Sequence, residues 1–91
     1  MKKKFIVKFS GSVHGVGFRF TTEIIAKRLG ICGYVKNCFD GTVELTVECA
    51  QEEFDKLLSE IKQQMKRYIS EIKINESEPT DGFTEFIIRQ D

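Results

Sequence analysis

The run Gly11-Ser12-Val13-His14-Gly15-Val16-Gly17-Phe18-Arg19 gathers the residue types best suited to holding an anion. Glycine enters positive φ at little steric cost, so a glycine-rich loop can turn successive amides toward one centre. A helix starting just after such a loop adds the positive end of its dipole. An arginine contributes a planar fork of donors that matches a phosphate or a carboxylate. The chemistry these residues suggest is the binding of a small anion, a phosphoryl group in the first instance. The run lacks the GxGxxG spacing, and no GK[ST] occurs for a Walker-type loop. A glycine cluster between a strand and a helix also serves as a plain turn. The loop taken alone therefore leaves both readings open.

The composition bounds what the loop can belong to. Ninety-one residues suit one domain with a modest core, and 41% hydrophobic with 31% charged residues is a foldable balance. Fourteen basic and fourteen acidic side chains cancel, so no global field draws the chain to nucleic acid or to an anionic membrane. Lys2-Lys3-Lys4 reads as a solvated end. No apolar run of signal-peptide length follows it, and nothing approaches membrane-spanning length. Cys32, Cys38 and Cys49 lack CxxC spacing, and the chain has one histidine, so a structural zinc site is not expected. These features predict a cytoplasmic protein with free thiols.

The elements that must position the loop follow from periodicity. Phe5 to Phe9 reads as a strand, with Phe5, Val7 and Phe9 on one face. Phe20 to Leu29 fits a helix, with Ile24, Ile25 and Leu29 inward and Gly30 as its stop. Ile31 to Cys38 and Thr42 to Cys49 alternate as two further strands. The first points Ile31, Gly33 and Val35 inward; the second points Val43, Leu45 and Val47 inward and Thr42, Glu44, Thr46 and Glu48 outward. Phe54, Leu57, Leu58, Ile61 and Met65 recur at helical spacing behind Glu52 and Glu53. Tyr68 to Asn75, with Ile72 and Ile74 on one face, and Phe83 to Arg89, with Phe86 and Ile88 on one face, complete the strands.

Parity fixes the hairpin around Asp40-Gly41. Inward residues are odd-numbered in both strands, so paired positions must sum to an even number. A two-residue turn would set Val35 opposite Thr46, on the wrong face. The loop Phe39-Asp40-Gly41 instead pairs Cys38 with Thr42 and Val35 with Leu45, with Gly41 at the left-handed position of a bulged turn. The same parity sends Cys32 and Cys49 to opposite faces and disfavours a disulfide between them.

The order βαββαβ with an additional C-terminal strand predicts a ferredoxin-like α/β sandwich (α+β), an antiparallel sheet carrying two helices on one face. The other face is expected to be open to solvent.

Two stretches carry a resemblance. Gly11-x-Val13-His14-Gly15-Val16-x-Phe18-Arg19 is similar to the signature loop of the acylphosphatase family, and Gly33-Tyr34-Val35-Lys36-Asn37-x-x-Asp40-Gly41-x-Val43-Glu44 resembles that family's second motif. The resemblance implies the same sandwich and hydrolysis of the carboxyl–phosphate bond of small acyl phosphates, with no metal or cofactor. It implies an acyl phosphate substrate, an inorganic phosphate product, and a monomer that needs neither nucleic acid nor membrane. By position, Arg19 matches the family's phosphate-binding arginine and Asn37 its water-orienting asparagine. His14, Gly15, Val16, Gly17 and Phe18 match the phosphate-binding loop. His14 stands where the family usually has glutamine, and a loop-organising role suits it better than that of a base. Cys49 replaces a customary glycine, and Gln64-Met65-Lys66-Arg67 replaces a Gly-Pro turn. Two rival readings remain: a non-catalytic anion-binding regulatory module of the same fold, and a single-stranded RNA binder, which the neutral charge opposes.

Overall fold

The computed structural model describes residues 1–90. Its elements are β1 (Lys3–Gly11), α1 (Phe18–Arg28), β2 (Cys32–Asn37), β3 (Val43–Cys49), α2 (Gln51–Met65), β4 (Ile69–Ser77) and β5 (Phe86–Arg89). A short 3-10 turn, Lys66–Tyr68, stands where the Gly-Pro turn was replaced. The strands form one sheet in the order β4-β1-β3-β2-β5. The first four strands pair antiparallel, as the βαββαβ order predicts. The additional strand joins β2 in parallel, with Val35 beside Ile88, so the complete sheet is mixed.

The β2–β3 hairpin has the register that parity requires. Val35 pairs with Leu45, and the Cys38 amide donates to the Thr42 carbonyl at 2.9 Å. Gly41, at φ 88°, closes the bulge by donating to the Cys38 carbonyl at 3.1 Å. Asp40 caps the turn, accepting from the Thr42 amide at 3.1 Å and its hydroxyl at 2.6 Å. All three cysteines are free thiols.

Alternation puts Phe5, Val7 and Phe9 of β1 beside Val47, Leu45 and Val43 of β3, all fully buried. Both helices cover this face. α2 presents Phe54, Leu57, Ile61 and Met65, and the Phe54 ring stacks on Phe5 with centroids 4.0 Å apart. Burying each such side chain removes enough apolar surface to contribute about 1.5–3 kcal/mol.

Three expectations change. β5 starts at Phe86, so Phe83, expected as the first residue of that strand, lies in the connection before it. The helix α1 starts at Phe18, two residues before the predicted start, and its buried stripe is Phe18, Thr22, Ile25 and Ala26. Ile24 therefore points outward and is half exposed. The far side of the sheet is also less open than expected, since Thr46 and Glu48 are buried. The connection between β4 and β5 crosses that face, and Glu48 anchors it. The carboxylate accepts from the Thr80 amide and hydroxyl, each at 2.7 Å, and from the Asp81 amide at 2.8 Å. Phe83 of the same segment lies 6.0 Å from the Tyr34 ring and under the Lys4 ammonium.

Candidate active site

The loop between β1 and α1 is held open by its own backbone. Gly15 and Gly17 have φ of 75° and 78°, values where a side chain would be strained. From Gly15 to Phe20 no amide has an acceptor among the described residues; the first partnered one is Thr21, which donates to the Gly17 carbonyl at 3.0 Å. The first turn of α1 carries no acidic residue and no side-chain cap. α2 is built the other way: Glu52 and Glu53 occupy its first turn, and Glu53 accepts from the Ala50 amide at 2.9 Å. An uncapped helix start led by left-handed glycines presents a run of donors and the positive end of the dipole to one place.

Arg19 is the second residue of α1 and is half-buried. It makes no ion pair among the described residues. Asn37 ends β2, half-buried, and its side chain likewise has no hydrogen-bond partner there. Both side chains line one cavity of about 200 Å3 together with Gly15, Gly17, Phe18, Val13, Phe20, Ile88 and Gln90. The two motifs, separated in sequence by a whole helix, therefore meet in space.

The other predicted residues surround this cavity in different ways. Phe18 is 2% exposed, and its ring tilts against Phe9 with centroids 4.9 Å apart, so it anchors the helix start. Val16 is half-buried and packs against the core. His14 is exposed and does not line the cavity. Its Nε2 lies 2.8 Å from the Thr42 carbonyl, which accepts its proton, and this bond ties the loop to the hairpin that carries Asn37. Asp40, which caps that hairpin, is held below the usual carboxylate range by its two bonds from Thr42 and by Lys8.

Sequence reasoning missed Val13, Phe20, Ile88 and Gln90 as cavity walls. Ile88 and Gln90 arrive because β5 pairs beside β2, and no local signal encodes a parallel pairing between distant segments. Phe20, in the first turn of α1 beside the glycine loop, is 62% exposed, which its apolar type does not announce in the sequence.

Together these features define a ferredoxin-like sandwich in which a glycine loop, a bare helix start and an arginine line one cavity with Asn37. The acylphosphatase family model matches residues 5–88. The chain is 42% identical over 64 residues to an acylphosphatase from Yersinia pseudotuberculosis serotype O:1b, covering 69% of this chain and 70% of the relative. It superposes on the crystal structure of acylphosphatase from Bacillus subtilis with a TM-score of 0.85 at 26% identity, covering 96% of this chain and 98% of that one. It also matches the structure of HypF from T. kodakarensis with a TM-score of 0.85 and 27% identity, covering 98% of this chain but 12% of HypF. The chain belongs to the acylphosphatase family, and with it to the acylphosphatase hydrolases.

Proposed function

We propose that the protein hydrolyses the carboxyl–phosphate bond of small acyl phosphates, with Arg19 and the loop amides holding the phosphoryl group and Asn37 orienting the attacking water. An acyl phosphate has a good leaving group, so positioning and charge stabilisation provide most of the catalysis. The amides from Gly15 to Phe20 and the Arg19 guanidinium surround a phosphoryl group and take up the charge on its equatorial oxygens. The Asn37 amide holds a water in line with phosphorus. The water oxygen bonds to phosphorus as the bridging P–O bond breaks, and that electron pair leaves on the carboxylate. The water's proton passes to a phosphate oxygen or to the departing carboxylate. His14 already donates to Thr42 and stands outside the cavity, which suits an organising role rather than that of a base.

The observation that carries this reading is that one small cavity is lined by Gly15, Gly17 and Phe18, whose amides have no acceptor among the described residues, together with Arg19 and Asn37. Hydrolysis of acetyl phosphate by the wild type, Arg19→Ala and Asn37→Ala tests it. Loss of one preorganised charge-stabilising donor costs on the order of 10²–10³ in rate. Arg19→Lys recovers little of it, because an ammonium lacks the fork. Undiminished turnover in Arg19→Ala would remove the mechanism. A second reading, a phosphate-binding module without turnover, is favoured by the match to a segment amounting to 12% of HypF. Phosphate binding by a wild type that hydrolyses no acyl phosphate would select it.

A further inference from the structure

We infer that Phe20 selects the acyl half of the substrate, favouring flat apolar acyl groups. This inference rests on the acyl phosphate reading above. In-line displacement keeps the nucleophile and the leaving group on opposite sides of phosphorus. Asn37 holds the water, so the wall it supplies lies on the nucleophile's side. A second hollow of about 360 Å3, lined by Lys36, Asn37, Cys38, Phe39 and Gln90, adjoins that same wall. It is large enough for an acyl group, but an acyl group seated there would occupy the path of the attacking water.

The leaving carboxylate must therefore run out along the wall that Asn37 does not form. After the phosphate-binding groups are set aside, Val13, Phe20, Ile88 and Gln90 remain around the cavity. Gln90 also lines the hollow beside Asn37 and so belongs to the nucleophile's side; Val13 is 1% exposed and Ile88 is half-buried, so both serve the core more than the rim. Phe20 is 62% exposed and contributes little to the core, which receives α1 through Phe18, Thr22, Ile25 and Ala26. A solvent-facing aromatic at the mouth of the phosphate cavity offers an apolar face to whatever the phosphoryl group is attached to. Ring-on-ring contact discriminates a benzoyl from an acetyl group by roughly three- to tenfold.

The experiment compares kcat/KM for benzoyl phosphate and acetyl phosphate in the wild type, Phe20→Ala, Phe20→Tyr and Phe39→Ala. Alanine is a good former at an exposed helical position, so Phe20→Ala keeps the fold, which its circular dichroism checks. The expected result is a fall in the benzoyl-to-acetyl ratio of about three- to tenfold in Phe20→Ala, expressed in KM, with Phe20→Tyr restoring the ratio. Phe39→Ala leaves the ratio as in the wild type. An equal fall on both substrates, or an unchanged ratio, overturns the role of Phe20. A ratio that moves with Phe39 and not with Phe20 assigns the acyl group to the second hollow and also overturns it. Failure of the wild type to hydrolyse even acetyl phosphate would instead sink the acyl phosphate reading, and this inference with it.

Discussion

Glu48→Gln puts the strongest demand on the folding account. Glu48 is 5% exposed, and burial alone would raise its pKa. The donors from Thr80 and Asp81, with the Lys4 ammonium 3.8 Å away, outweigh burial and hold the carboxyl below the ordinary glutamate range. Glutamine keeps one acceptor oxygen and turns an NH2 toward backbone donors. It therefore loses the Asp81 bond or the Thr80 pair, and the bonds that remain lose their charge. Hydrogen bonds to a charged group contribute about 1.5–3 kcal/mol each, so the variant should be less stable at pH 7 by roughly 2–4 kcal/mol. For a domain of this size that lowers Tm by roughly 10–25 °C. The pH dependence has a definite sign. A carboxyl depressed in the folded state contributes stability above its unfolded value of about 4.3, and loses it as pH falls through the folded value. The gap between wild type and variant should be full at pH 7 and should shrink below about pH 4. Urea unfolding at several pH values measures it. A gap under about 0.5 kcal/mol at neutral pH, or one constant down to pH 3, would refute the reasoning.

Two further outcomes follow from the same geometry. Cys49 is 2% exposed, and burial with the Glu53 charge pushes its thiol up to about 12, whereas Cys32 and Cys38 are half-buried. A thiol reagent at pH 8 should modify the latter two in native protein and reach Cys49 only in denaturant; rapid native labelling of all three would contradict the burial argument. His14→Ala removes the bond that ties the glycine loop to the Asn37 hairpin and, on the proposed function, should weaken inhibition by inorganic phosphate by about two- to tenfold. His14→Gln, which can still donate to Thr42, should restore it, and equal behaviour of the two variants would mean that the bond positions nothing.

The strands and both helices were legible because alternation and helical spacing are local. The hairpin was legible to the residue, since one parity argument used the buried faces of both strands at once. The start of α1 is less legible, because Phe18 and Arg19 read from the sequence as the end of the loop motif. Gly17 leads directly into the helix, and Phe18 is its first core contact. The outward face of β3 reads as solvated from its charges. A buried Glu48 becomes tolerable only when Thr80 and Asp81 arrive to satisfy it, and they stand 32 and 33 residues away. Arg19 and Asn37 could be picked out from motif types, but their convergence required the sheet order, which no local pattern states.

Phe18 explains how the site can be bare without unfolding. Omitting a side-chain cap at a helix start costs about 1 kcal/mol, and six partnerless amides would be an unfavourable way to begin an isolated helix. Burying one large side chain contributes about 1.5–3 kcal/mol, and Phe18 does so at the first helical position, locked against Phe9 of β1. The core contact outweighs the missing cap and leaves the amides free. It also fixes where they point, because a side chain packed at 2% exposure has little room to shift. Arg19, the next residue, inherits that position and reaches the cavity. The anchor that stabilises the helix thus also preorganises the loop amides and Arg19, as the proposed electrostatic stabilisation of a phosphoryl group requires.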